Sequence, residues 1–287
     1  APSQKGQLEL LEFRDLEFPD KDAFISVIAA SMANEAPGPA ALAAIPRLGA
    51  FALRGLNVET GMPGLAPINL DTLELNLDDY IGAIPSRLGV VIEGLQIPAA
   101  LLPNPQATSI LGLLGADPVR ADGAITLSWA EDTGAITLDE NLTIAGIGQL
   151  RASANVSGIP RAIFDNPTRA QEAIATASIG DISLRFDDGG ITPFMLGMMA
   201  EQSGIGAAEF AAGLTQQVEA QIEGILGARG LASEVGAALR TYLNDPQNIT
   251  IAATPANPVP VAQLIGAAMA APAQIAGILN LSITANE

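Results

Sequence analysis

Four pairs of adjacent acids are the side chains best equipped for chemistry: Asp78-Asp79, Glu131-Asp132, Asp139-Glu140 and Asp187-Asp188. Two carboxylates can hydrolyse a glycosidic bond, one as acid and the other as base or nucleophile. Such enzymes usually add aromatic platforms for the sugar rings. This chain has one Trp, two Tyr and eight Phe, and most of the Phe sit at core phase. The pairs are therefore expected to be solvated turns, and a carboxylate-only hydrolase ranks third among the functional readings. Asp187-Asp188-Gly189-Gly190 has the flavour of a calcium loop. That loop needs oxygen ligands at alternate positions and a terminal Glu, whereas 191–199 is apolar.

Other catalytic and cofactor chemistries find no residues to carry them. The chain has no His and no Cys, which nearly excludes zinc and rules out a serine triad with histidine. Lys5 and Lys21 are the only lysines, a poor basis for Schiff-base or Ser–Lys catalysis. Gly146-Ile147-Gly148 and Gly204-Ile205-Gly206 are not followed by Lys-Ser or Lys-Thr, so neither is a phosphate loop. A Gly-x-Ser-x-Gly elbow is also missing. The expectation is a non-enzymatic protein with no catalytic residues, no metal and no cofactor.

What these residues sit on is clearer. Ile125, Leu127 and Trp129 alternate with Thr126 and Ser128. After the turn at 131–134, Ile136, Leu138, Leu142 and Ile144 oppose Thr137, Asp139, Asn141 and Thr143. After Gly146-Ile147-Gly148, Leu150, Ala152, Ala154 and Val156 oppose Arg151, Ser153, Asn155 and Ser157. Period-two alternation through three segments predicts an antiparallel meander with one apolar and one wet face. Leu127, Trp129, Leu138, Leu142, Ile144, Leu150 and Val156 are expected on the buried face. Further strands are expected at 7–18, 48–59, 68–78, 88–97, 180–187, 248–254 and 279–286. Four Asn-x-Ser/Thr sequons, at Asn141, Asn155, Asn248 and Asn280, are explained by wet-face alternation without a glycan.

One pattern recurs: an apolar strand ends in Asp or Gly followed by Leu or Ile, then a nearby Pro leads into an apolar helix. It occurs at Asp15-Leu16, Gly94-Leu95 and Gly158-Ile159, ahead of helices expected over 22–34, 99–115 and 161–178. The spacing is irregular, so this is not a solenoid. Later, Phe210, Leu214, Val218, Ile222 and Leu226 repeat every four residues and predict a helix with a single apolar stripe. Leu231, Val235, Leu239 and Tyr242 predict the next helix. The fold expected is α+β: a long curved, mostly antiparallel sheet with helices covering one face. It forms a single elongated domain over 1–287, strand-rich over 1–187 and helix-rich over 190–245. The strands at 248–254 and 279–286 then return to the sheet.

The formal net charge is −18 and the pI is near 4.2. That repels phosphate backbones and excludes a nucleic-acid partner. The run 259–283 is broken by Pro and Gln, so no membrane span is expected. The opening Ala1-Pro2-Ser3 resembles the stub left by a cleaved signal peptide. Phe194, Met195, Met198 and Met199 form a soft cluster ahead of the helix bearing Phe210 and Leu214. Methionine adapts to irregular apolar shapes, so these six are the expected ligand-binding residues.

The meander resembles bacterial envelope proteins of the YdgA-like and AsmA-like kind. The matching residues are Ile125-Thr126-Leu127-Ser128-Trp129, Thr133-Gly134, Gly146-Ile147-Gly148-Gln149-Leu150 and Gly158-Ile159. The resemblance implies a periplasmic protein with an elongated curved sheet and an apolar groove for lipid, and it carries over no catalytic residues. The leading expectation is a periplasmic protein that binds or shuttles a lipid or other hydrophobic small molecule. The alternative is a structural or adaptor protein of the envelope, with a protein partner and no ligand.

Overall fold

Alternating segments dominate the fold. The computed structural model describes residues 5–19, 21–32, 44–165 and 170–287. The first half holds β1 (Gly6–Gln7), β2 (Leu10–Arg14), α1 (Lys21–Met32), β3 (Ala50–Val58), β4 (Ile68–Ile81) and β5 (Ile84–Ile97). Helix α2 (Pro105–Leu113) leads to the meander β6 (Val119–Ala130), β7 (Ala135–Ile144) and β8 (Gly148–Ser157). Then come α3 (Ala162–Asp165), α4 (Ala170–Thr176) and β9 (Ser178–Asp188). The helical stretch is α5 (Ile191–Ser203), α6 (Ala207–Leu226) and α7 (Arg229–Asn244). The chain closes with β10 (Asn248–Ala253), β11 (Val259–Pro260), α8 (Val261–Ala270), α9 (Ile275–Ile278) and β12 (Leu281–Ala285).

All the strands join one antiparallel sheet in the order β1-β3-β4-β5-β6-β7-β8-β9-β10-β12, with β2 also on β3 and β11 also on β9. The α+β class and the curved antiparallel sheet are thus as expected. The late strands β10 and β12 extend the same sheet beyond β9.

The recurring Asp/Gly–Leu/Ile pattern marks left-handed backbone. Asp15, Gly94 and Gly158 have φ of 52°, 63° and 78°. Gly94 sits where the β5–β6 register slips by one, so it bends the strand and changes its phase. At Gly158 a Cβ would run into the carbonyl oxygen of Thr176, so only glycine fits. Ile159 is pinned there: its N–H donates to Gly134 O at 2.9 Å, and its carbonyl accepts from Trp129 Nε1 at 3.1 Å.

The helix expected over 99–115 is a short 3-10 turn at Ala99–Leu101 followed by α2. Asn104 interrupts it and caps α2, its side chain accepting from the N–H groups of Gln106 and Ala107 at 3.0 and 3.3 Å, with Pro105 at the first helical position. The helix expected over 161–178 is seen as α3 and α4. Residues 33 and 34 of the helix expected over 22–34 lie outside the described residues.

Helices α5, α6 and α7 pack on one another, and α7 lies against β10 and β12. Small residues let α6 and α7 approach closely: Ala211 and Thr215 on one, Ala232 and Gly236 on the other, all buried. A Cβ on Gly236 would collide with the side chain of Glu219, which pairs with Arg240 at 3.2 Å. Asp188 joins this layer to the sheet. Its carboxylate accepts from Gly190 N at 2.8 Å and Thr192 N at 3.0 Å, capping the start of α5. The Thr192 hydroxyl lies 2.6 Å from Tyr242 Oη, near the end of α7. Burial, the largest influence, pushes the Tyr242 hydroxyl pKa upward, and the nearby Asp188 charge acts the same way.

Candidate functional site

Residues paired across antiparallel strands point to the same face, so the register sorts the whole sheet. One ladder runs Phe13, Phe51, Leu75, Val90 and Ile125, from β2 to β6. It continues through Glu140, Ala152, Leu184, Ile251 and Ile283, from β7 to β12. The next runs from Leu11, Leu53, Leu73 and Ile92 through Gly123 to Leu142, Leu150, Phe186, Ile249 and Ala285. A third joins Leu77, Leu88, Leu127, Leu138, Ala154, Ile182, Ala253 and Leu281. At about 4.8 Å between strands, ten strands span roughly 43 Å. Three ladders about 7 Å apart have a footprint of roughly 550 Å², apolar apart from Glu140 and partly exposed, comparable in extent with the apolar patches that mark binding surfaces.

This face is open at its centre. Leu127 is 39 % exposed and Leu184 42 %, and Ile125, Ile182 and Ile251 are similarly exposed. The seven residues expected to be buried together do share one face, with Thr126, Ser128, Thr137, Asn141, Ser153 and Asn155 on the other. The expected burial holds only at Trp129, which is 8 % exposed. Its ring stacks on Phe164 of α3 with centroids 4.5 Å apart. Leu127, two residues along, has no such cover, and Leu138, Leu142, Ile144, Leu150 and Val156 are half-buried. The helices α5 and α6 were expected to lie over the sheet. Instead α6 packs on α5 and on α7, and it is α7 that lies against β10 and β12.

The six residues expected to bind ligand lie in that helical layer. Phe194, Met195 and Met198 on α5 and Phe210 and Leu214 on α6 are half-buried, and Met199 is 42 % exposed. They stand in the layer that adjoins β10 and β12 and not over the exposed centre.

The opposite face is polar and carries several internal ion pairs. A depression of about 400 Å³ is lined there by Thr126, Asp139, Asn141, Arg151, Ser153 and Arg185. Arg151 and Arg185 face each other across β8 and β9. Asp187 lies between them, 2.8 Å from one guanidinium and 2.9 Å from the other. The acidic pairs do not converge. Asp139 and Glu140 are strand neighbours and point to opposite faces, as do Asp187 and Asp188. Asp79 pairs with Arg87 at 3.1 Å, and Glu131 pairs with Arg161. Among the described residues no cluster of acids could hold a metal ion, and no helix is long and apolar enough to cross a membrane.

In the sequence Glu140 reads as half of an acidic pair and not as a member of the alternation. Its register position sets it in the apolar ladder, between Ile125 and Ala152. A family model described as "Uncharacterized protein" matches residues 141–286, just over half of the chain. A search of curated proteins finds no match.

Proposed function

The chain belongs to this family of uncharacterized proteins, and we propose that it binds a lipid or other long-chain hydrophobic molecule on the apolar face of its sheet. The observation that carries the reading is the contrast between the two faces. The polar face carries the strand arginines, several of them in ion pairs with acids of the same chain, while the other face presents a mostly apolar expanse to water with Glu140 as the charge at its centre. Leaving it wet has a free-energy cost of about 25 cal/mol per Å², which a bound chain would relieve. The curved sheet supplies length in two directions, enough for acyl chains to lie flat. The layer at β10–β12, with Phe194, Met195, Met198, Met199, Phe210 and Leu214, would border one end of that surface. The absence of Cys and the resemblance to envelope proteins support a periplasmic location.

The test is solvent extraction of the purified protein followed by mass spectrometry, on wild type and on Leu127→Glu/Leu184→Glu. Both residues are exposed, so the fold should tolerate the change. Wild type should release a near-stoichiometric amphiphile, and the double variant should release little at an unchanged Tm. Equal retention by both proteins, or wild type that carries nothing and takes up no long-chain probe, contradicts the reading. A protein that copurifies on this face instead would favour the envelope-adaptor alternative.

A further inference from the structure

The apolar face has one charge at its centre, and no side chain among the described residues pairs with it. Six arginines lie on strands: Arg14, Arg54, Arg87, Arg120, Arg151 and Arg185. The register puts every one on the polar face. Arg151 and Arg185 pair with each other, Arg87 with Ser128, Arg54 with Thr72, Arg120 with Gln96 and Arg14 with Ala50. Glu140 lies on the apolar face, sixth of ten residues in its ladder, and the other nine are apolar. It is half-buried and makes no ion pair or side-chain hydrogen bond among the described residues. Asp188, also on this face, is taken up in capping α5, and Asp71, at the same phase of β4, is exposed and lies against Gly94 near the end of the strand.

A chain laid across this face would strip water from that carboxylate. Burying an ionised carboxylate without a partner is costly. An aliphatic tail alone leaves that cost uncompensated and binds more weakly for it, and an anionic head adds repulsion. A cationic head returns it, since a carboxylate and an ammonium about 4 Å apart attract strongly once water is excluded. Resting on the proposed function above, we infer that the ligand is an amphiphile bearing a basic nitrogen, and that Glu140 receives its ammonium group in the middle of the face. The net charge of −18 acts in the same direction, steering cations toward the protein and anions away.

The test uses delipidated full-length protein and three probes of one chain length: dodecylamine, dodecanol and dodecanoate. Affinities are measured by calorimetry at neutral pH, below micelle-forming concentrations. Wild type should prefer the amine over the alcohol by about tenfold or more, and bind dodecanoate least, as a desolvated charge pair allows. Glu140→Gln should bring the amine and the alcohol to equal affinity while leaving the alcohol bound as tightly or tighter. Asp139→Asn removes the same charge from the polar face at the adjacent position, so it controls for the overall field. Its amine preference should match wild type. An amine preference that survives Glu140→Gln, or that Asp139→Asn removes equally, overturns the assignment to Glu140. So does a wild type that binds the alcohol as well as the amine, in which case the apolar-face reading stands. Failure of wild type to bind any of the three probes overturns both readings.

Discussion

Leu127 and Trp129 lie two residues apart on one strand and one face, yet only Trp129 is covered. Truncating each to Ala measures where the cover stops. Leu127→Ala removes three carbons, worth about 0.8 kcal/mol each when fully buried. With 39 % of the residue exposed, about three-fifths of that sum applies, roughly 1.5 kcal/mol. No cavity penalty adds to it, because the gap opens to water. A leucine sealed in a packed interior would cost about 3–5 kcal/mol. Trp129→Ala loses a nearly buried ring, its stacking on Phe164 and the Nε1 hydrogen bond to Ile159. That should cost about 3–5 kcal/mol. Urea unfolding followed by circular dichroism gives both values, provided the m-values agree with wild type. A Leu127→Ala cost above about 3 kcal/mol in delipidated protein would mean that a protein layer covers the face, and would refute the open-face geometry.

Gly158→Ala should destabilise by about 2 kcal/mol or more, since φ is 78° and the new Cβ meets the Thr176 carbonyl; thermal unfolding checks it. Asn104→Ala should cost about 1 kcal/mol by removing the α2 cap, and Asn104→Asp should restore most of it. Burial raises the Tyr242 pKa in the folded state. Its neutral form therefore stabilises the protein fully below the unfolded tyrosine value of about 10, and that contribution is lost as pH rises through the raised folded value. Urea unfolding across alkaline pH should show wild type losing stability more steeply than Tyr242→Phe.

The alternation in 119–157 was legible because a period of two has one structural meaning, and strand pairing then carries the same face across the sheet. What lies over a face leaves no mark on that period. Leu127 and Trp129 read alike in sequence, and only Phe164, far along the chain, distinguishes them. The stripe from Phe210 through Leu214, Val218 and Ile222 was equally plain, but a stripe does not name its partner, and α5 and α7 take the place expected for the sheet. The Gly–Leu pattern was visible as a recurrence. Its meaning, a left-handed residue that bends the strand, emerges only with φ values. Glu140 was hidden by its neighbour Asp139: adjacent acids look like one feature, whereas a strand sends them to opposite faces.

The central claim is that a long-chain ligand lies on the apolar face, and alternation makes that directly measurable. A long-chain alkylamine probe with a diazirine in its chain is bound to the protein, irradiated, and its adducts are mapped by peptide mass spectrometry. Adducts should fall on Ile125, Leu127, Leu138, Leu184 and Ile251 and skip Thr126, Thr137, Ser183 and Thr250, giving a period of two on several strands at once. Adducts confined to the helices α5 and α6, or spread over both faces without that period, would contradict the claim.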